Sequence, residues 1–574
     1  MFVKLTKSGP RSYVQLVEAY RDDAGRPKQR TVATLGRLDQ MGDSVRSLHD
    51  GLSRLLGLET GQASCSGTAA FESSRALGDI WALTRLWESL GLHRLGDAFR
   101  QVSRHRIDLE ALLRVMVFNR LCDADSKLGV LRWLHTVSFP ALEGVEQVTH
   151  QQLLRTMDAL IEHQAVIEQA LVQATKPLID QQRSVVFYDM TTIRTEGLSV
   201  QEGEIRQHGM SKEGLIARQF MLGLVQTAQG VPLYHEVFEG NTAEVGTLQD
   251  SLEQVIQRFG VERVIAVADR GLLSIDSLEA LQAMRLPQGK PLEFILAVPG
   301  RRYAEFAALL EPINEQAAQS EAPELIAEAT WQGLRLVIAH DRDRAMEQSA
   351  RRDETIAKLE AQAAQWVGKL DAQDAGLRAR GRALSDGGVR ARFYHAVAEA
   401  HLRRIIRVDL KSELFTYDID PNALALALAL DGKLLLVTNV KDLSADEVVA
   451  QYKALADIER SFKVLKSEIE VGPVHHRLPE RIRAHALICF IALILQRLIR
   501  TRLRAKPVQN VISPERALAI LRRIQTHRVL MPNNRTVTGI STIDAEQSAI
   551  FDSLGVKKPT ATDSYTSLSW SVLK

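Results

Sequence analysis

SVVFYDMTTI, residues 184–193, is the stretch on which the fold turns. Val185, Val186, Phe187 and Tyr188 make a short β-branched and aromatic run, the pattern of a buried strand, and it leads directly into Asp189. An ionised carboxylate at the end of a buried strand is costly unless something compensates it. The same phrase returns in RVIAVADRGLL, residues 263–273, where an apolar strand ends at Asp269. Two acids in equivalent places within one domain call for a shared partner.

Outward from Asp189, the strands VVFYDMTT, ARQFMLGLVQT and VPLYHEVFEG succeed one another across short turns. The helix TLQDSLEQVIQRF, the strand VIAVAD, the helix SIDSLEALQAMR and the strand EFILAVP complete the order. Three strands joined by turns, then helix–strand–helix–strand, predict a mixed α/β sheet rather than a pure βαβ array. After Pro299 the pattern degrades into a long, charged, Ala-rich helical stretch and the strand-like pieces RIIRVDL and ELFTYDI, before DGKLLLVTN at 431–439 restores a clean apolar strand. Residues 301–430 are therefore read as an insertion between a first core part at 179–300 and a second at 431–505.

Residues 1–44 are expected to form a small β-rich unit, because YVQLVEAYR and RTVATLG alternate around the turn signal DDAGRP. From 45 to 178 the periods are helical, and the stretch carries Arg100, Arg104, Arg106, Arg114, Arg120, Lys127 and Arg132. These cations either dress a solvated helix surface or contact DNA; the charge pattern leaves both readings open. The tail at 506–574 contains an amphipathic helix, read equally as a dimerisation element or as a plain core helix.

Composition excludes several classes. With 45% hydrophobic and 25% charged residues, the 574-residue chain has ordinary globular composition and enough length for several domains. Its 72 Lys+Arg against 70 Asp+Glu give a formal charge of +2, so any nucleic-acid footprint must be local. Cys65, Cys122 and Cys489 form no CxxC, which argues against a disulfide framework or a structural zinc and for a reducing cytoplasm. The N-terminus lacks an apolar signal core, and ALICFIALILQRLI (486–499), interrupted by Gln496 and Arg497, is too short to span a bilayer and reads as a buried helix. There is no GxSxG elbow, no Cys/His context for a nucleophile and no P-loop, so no nucleotide cofactor is expected.

A third acid comes after the last strand. In YKALADIERSFKVLKSEI (452–469), Leu455, Ile458, Phe462, Leu465 and Ile469 are spaced as the seam of an amphipathic helix. At about 100° per residue, Tyr452, Glu459 and Lys466 share a stripe at its edge, beside the buried face, with Lys463 close by. An antiparallel three-strand meander, a helix and a fourth strand parallel to the first is the ribonuclease-H-like arrangement, in which the first and fourth strands are neighbours and a later helix crosses the same edge. Asp189, Asp269 and Glu459 occupy those three places. Carboxylates this close raise one another's pKa unless a cation neutralises them, and oxygen-only ligands favour Mg²⁺ or Mn²⁺.

Together these residues resemble the DDE transposases of bacterial insertion sequences, closest to the insertion-sequence-four-like branch. In that branch the glutamate lies in a Tyr-x2-Arg-x3-Glu-x6-Lys signature, and the catalytic domain is interrupted before that helix. The likeness rests on FYDMTTI, VADRG and Tyr452/Glu459/Lys466. It extends to HGMSKEG (208–214), VFEGNTAE (237–244), PVHHRLPERIRAHALICF (473–490) and the N-terminal MFVKLTKSGPRSYVQLVEAYR of long-chain members. One departure stands out: the signature Arg falls at Leu455, with Lys463 and Arg460 as candidates for the missing charge.

The resemblance implies two divalent ions about 4 Å apart clamping a DNA phosphodiester. Asp189 would bridge both, with Asp269 and Glu459 each holding one. It implies cutting at the inverted repeats of the element, release of a 3′-hydroxyl, and joining of that hydroxyl to target DNA by a homodimer assembled on double-stranded DNA in the cytoplasm, at the nucleoid, with no membrane. Lys466, Tyr452, Lys463, Arg460, Lys212, Arg270, His476 and Arg477 are the DNA-contact candidates. His475, Arg481, Arg483 and His485 extend a basic tract after the helix, whose affinity would fall steeply with salt. No helix-turn-helix signature names a base-contacting residue; the N-terminal β and helical regions are expected to bind the ends. Two other readings stay open: a ribonuclease-H-like nuclease that never joins strands, and a DNA-binding derivative without catalysis.

Overall fold

The computed structural model describes residues 1–560 except 23–24, 38–69, 103–107, 143–146, 179–183, 198, 201–202, 211–215, 243–246, 260–262, 269–274, 287–288, 377–383 and 532–533. It divides into two units, residues 1–73 with 528–538, and residues 74–527 with 539–574. The first holds the antiparallel meander of β1 (Phe2–Ser8), β2 (Arg11–Arg21) and β3 (Pro27–Arg37), in which Val14 and Val17 are buried. The strand β4 (Ala70–Ala76) comes next in the chain.

The second unit is built on a nine-stranded sheet. Its centre is β5 (Ser184–Arg194), whose Val/Phe/Tyr run fits a strand buried on both faces. On one side β5 pairs antiparallel with β7 (Ile216–Thr227), which carries β6 (Gln207–Met210) and β8 (Pro232–Glu239) along its outer edge. On the other side β9 (Val264–Ala268) pairs parallel with β5, and β10 (Glu293–Ala297) parallel with β9. The order β8–β7–β5–β9–β10, with these directions, is the ribonuclease-H-like sheet that the element order predicts.

The sheet continues. β15 (Lys433–Thr438) pairs antiparallel with both β10 and β12 (Leu334–Asp341), and β11 (Glu324–Trp331) forms the edge. Two strands of the 301–430 stretch, read from sequence as an insertion of strands and a long charged helix, therefore belong to the main sheet. The remainder, the 33-residue helix Arg342–Asp374, the helix Asp386–Glu399, the ribbon of β13 (Ile406–Val408) and β14 (Tyr417–Ile419) and the helix Pro421–Leu430, gathers around its own core of Ile356, Leu359, Phe393 and Phe415.

Alternate residues of β5 feed two cores. Val186, Tyr188 and Met190 join one with the helix Leu248–Phe259; Phe187 and Ile193 join the other. This second core also takes in the helices between Gly78 and Thr175, the helix Pro479–Ala505, and Leu518, Leu521, Ile550, Phe551 and Leu554. Within the second unit, the described helices of the 45–178 and 506–574 stretches thus share this core rather than standing apart from it. The helix Pro514–Leu521, for which the sequence leaves a dimerisation role open, is a core helix, and β16 (Gln525–Leu530), β17 (Thr536–Ile540) and the helix Ala545–Leu554 come after it.

Pro479–Ala505 is longer than its apolar run suggests. Its 27 residues meet the length and hydropathy of a membrane span, and 94% of that apolar window is buried inside the protein. Gly240 ends β8 where a side chain has no room: an added Cβ would stand 2.0 Å from the Gln219 carbonyl oxygen.

Candidate active site

Asp189 sits in mid-sheet register, opposite Leu224 of β7 and one residue beyond the Tyr188–Ala268 pair that closes the β5–β9 ladder. It is half-buried, and its Oδ1 accepts the Met190 N–H at 2.7 Å. Strand alternation puts it on the face of Phe187, beneath the elements of the second core, while Tyr188 on the opposite face shares a 2.6 Å hydrogen bond with the Thr247 hydroxyl. β9 ends at Ala268; Asp269 and Arg270, like Lys212, lie outside the described residues.

The helix Ala456–Ser467 packs on that same face. Its predicted seam is buried throughout: Leu455, Ile458, Phe462, Leu465 and Ile469 all belong to the core shared with Phe187 and Leu224. Two polar links fix it. The Ser461 hydroxyl, fully buried, donates to Gln226 Oε1 of β7 at 2.6 Å, and Gln226 stands opposite Phe187 in register. Arg497 of the helix Pro479–Ala505 in turn donates to the Ser461 oxygen. Beyond the helix, the chain is stitched to the end of β5: Val474 N–H donates to Arg194 O at 3.0 Å, and Glu196 N–H to Val474 O at 2.9 Å. The Arg120 guanidinium donates to the Glu470 carbonyl at 3.2 Å.

Glu459 lies one residue from the fully buried Ile458 and two from Ser461, and is solvent-exposed, as are Arg460 and Lys463; Lys466 is half-buried. The expectation that Glu459 borders the buried face thus ends with it open to solvent.

Tyr452 does not share that helix. It belongs to the preceding helix Ala445–Lys453, and Ala454 and Leu455 intervene. The Leu455 and Ile458 N–H groups reach back three residues, to Tyr452 O and Leu455 O at 2.9 Å each, a tightened turn that ends the regular helical ladder. The stripe through Tyr452, Glu459 and Lys466 is therefore broken after its first member.

The basic tract also changes. Burial first, and then the nearby Lys127 charge, push His476 down to about 3, so it is neutral near physiological pH and is no phosphate cation; its ring tilts against His485. His485, buried and driven well below its ordinary range, hydrogen-bonds the Val471 carbonyl at 2.9 Å. Arg481 makes a two-pronged ion pair with Asp158 at 2.7 and 2.9 Å. Arg477 and His475 remain exposed.

Several upstream cations are structural. Arg114 is buried against Glu110 at 2.6 Å, and Lys127 is buried, with burial lowering its amine to about 7. Arg104 and Arg106 lie outside the described residues. Among the described residues no three His, Cys, Asp or Glu side chains gather at metal-holding spacing; the proposed third ligand, Asp269, is not one of them. Asp189 and Glu459 are oxygen donors borne by elements packed face to face, a donor set suited to a hard divalent cation.

Sequence reasoning missed the links that hold this helix. The signal was present: Gln496 and Arg497 interrupt an otherwise apolar run, and each bonds to a partner on or just beyond the Glu459 helix.

The fold defines a ribonuclease-H-like α/β protein in which Asp189 lies within β5, not at its end, one residue past the ladder that joins β5 to the adjacent parallel strand β9. The family described as "Transposase DDE domain" matches residues 180–495, more than half of the chain, and the chain belongs to it. The description "IS1634 family transposase, N-terminal domain" matches residues 3–61. No curated protein matches. Among solved structures, a piggyBac transposase synaptic complex with hairpin DNA is 9% identical over 80% of this chain and 81% of its own, at a TM-score of 0.36. A Drosophila P element transposase strand transfer complex is 8% identical over 75% of this chain and 97% of its own, at 0.19. At these scores neither likeness bears on mechanism.

Proposed function

We propose that this protein is the transposase of a bacterial insertion sequence, of the branch bearing the Tyr–Arg–Glu–Lys signature. In this reading it binds the terminal inverted repeats, cuts at the element ends and joins the freed 3′-hydroxyls to target DNA. The supporting observation is the parallel β5–β9 register: Asp189 stands on β5 one residue past the Tyr188–Ala268 pair, in the sequence Asp269 follows Ala268 directly, and the helix of Glu459 packs on the face that Asp189 occupies.

Asp189, Asp269 and Glu459 would hold divalent cations, Mg²⁺ or Mn²⁺. When bound, such ions supply Lewis-acid activation of the attacking oxygen and neutralise the phosphate. The chain supplies the rest. Burial of the seam and the Ser461–Gln226 bond fix Glu459 relative to β5. The exposed Arg460 and Lys463, with the half-buried Lys466, offer phosphate contacts on the same helix, and with Leu455 buried in the signature position Arg460 and Lys463 are the candidates for the missing charge. Arg477 extends that contact; Lys212 and Arg270 remain candidates from sequence. A homodimer on paired ends would supply two such sites.

The test uses purified protein, labelled double-stranded ends and Mg²⁺. Glu459→Gln is expected to abolish end cleavage while leaving end binding nearly intact; equal loss of binding would make Glu459 a structural residue. Cleavage without insertion into a plasmid would support a nuclease, and binding without nicking an inactive derivative.

A further inference from the structure

The helix that carries Glu459 ends at Glu468, its C-cap residue. There three side chains from three elements meet. Gln496, 2% exposed within the helix Pro479–Ala505, points its amide Nε2 at Glu468 Oε2 (3.1 Å) and at Glu515 Oε1 (3.0 Å), in the first turn of Pro514–Leu521. One amide nitrogen bonded to both draws the two carboxyl groups together. Two ionised carboxylates held this close repel each other, which favours one of them keeping its proton.

The surroundings agree on which. Burial, then the Glu515 carboxylate, raise Glu468 to about 7. Burial also raises Glu515, but hydrogen bonds from Glu468 and Gln496 outweigh it and hold it below the usual range. Arg500, on the same helix as Gln496, acts electrostatically on both carboxyls, as Arg460 and Arg504 act on Arg500, and the Ser513 hydroxyl, two residues before Glu515, accepts the Arg516 N–H at 3.2 Å.

We infer that Glu468 and Glu515 share one proton beneath Gln496, and that this carboxyl pair is a positioning clamp for the helix bearing Glu459, an inference that rests on Glu459 being a catalytic acid as proposed for this fold. Ser461 pins the middle of the helix to the sheet, and the clamp pins its end to the C-terminal helix. Loss of the shared proton would set two negative charges side by side and loosen that end. The donor proton stays on Glu468, and Glu515 accepts.

The sign is set by the raised pKa. Between the ordinary carboxyl range and about 7, the folded protein holds a proton that the unfolded chain has lost, so stability falls as pH rises through that window and is flat above it. Glu468→Gln keeps a donor to Glu515 but cannot ionise.

The experiment measures unfolding temperature and Mg²⁺-dependent end cleavage for full-length wild type and Glu468→Gln across that window. In wild type the unfolding temperature is expected to fall with pH; in Glu468→Gln that slope flattens, and the ratio of variant to wild-type cleavage rises as pH passes about 7, with end binding unchanged. A ratio that stays constant with pH, or an unaltered unfolding slope, overturns the clamp. Should Glu468→Gln fail to fold, Glu515→Gln removes the like-charge neighbour but not the burial, so it must make the slope shallower without abolishing it; a slope as steep as wild type there overturns the inference. A wild type that shows the slope yet cuts no DNA at any pH would instead refute the catalytic reading of Glu459, leaving the proton-sharing pair in place.

Discussion

Removing a single oxygen atom tests how the Glu459 helix is held. In Ser461→Ala, Gln226 Oε1 loses its donor inside a fully buried site, and Arg497 loses its hydroxyl acceptor. An orphaned buried acceptor costs roughly 1–3 kcal/mol, and a hydrogen bond from a charged group contributes about 1.5–3 kcal/mol. Because Arg497 makes other interactions, the two do not sum fully, and a loss of about 2–4 kcal/mol is expected. Urea unfolding of full-length protein measures it, with Ser467→Ala as control: that exposed hydroxyl only caps the Lys463 carbonyl, and its removal should change stability by less than about 0.5 kcal/mol. A double-mutant cycle with Gln226→Leu should return a coupling of about 0.5–3 kcal/mol. If Ser461→Ala were within about 0.5 kcal/mol of wild type, the bond would not anchor the helix, and the account of how Glu459 is positioned would fail.

The same geometry sets other outcomes. Arg477→Ala should weaken DNA binding and lower the salt slope by about one, whereas His476→Ala, which removes a neutral ring, should leave that slope unchanged in filter-binding titrations. Gly240→Ala should destabilise the protein by more than about 2 kcal/mol, since its Cβ would collide with backbone; near-wild-type calorimetry would refute the tight packing at the end of β8. Lys127, lowered to about 7 by burial, binds fewer protons when folded than unfolded above that pH, so stability should climb with pH from about 7 toward the ordinary lysine range. Lys127→Met should erase that climb and raise the unfolding temperature more at pH 6 than at pH 9; an equal effect at both would show the amine is not desolvated.

The centre of the sheet was legible because burial on both faces leaves unmistakable apolar runs: β5, β7, β8, β9, β10 and β15 all stand where the residue pattern places them. The edge was not. β11 and β12 hide in ELIAEATW and LRLVIAHD, where the edge strand β11 is only partly buried and charges break the pattern. The seam from Leu455 to Ile469 announced its helix, yet the turn at Ala454–Leu455 has no proline or glycine to mark it, so Tyr452 was joined to the wrong element. A histidine's neutrality is invisible in sequence because it comes from burial and from Lys127, more than three hundred positions away. The C-terminal stretch read as a tail for the same reason: the surface its helices cover is contributed by distant segments.

The helix Pro479–Ala505 has a consequence for synthesis. Its apolar flanks are closed last, by residues 514–554, with Arg502 bonded to the Leu554 carbonyl and Trp81 to that of Lys557 at 2.8 Å. A nascent polypeptide halted after residue 505 would leave bare the apolar surface that Leu518, Leu521, Ile550, Phe551 and Leu554 join. The bed on which the Glu459 helix lies is therefore sealed only once residues 514–554 have emerged and folded back.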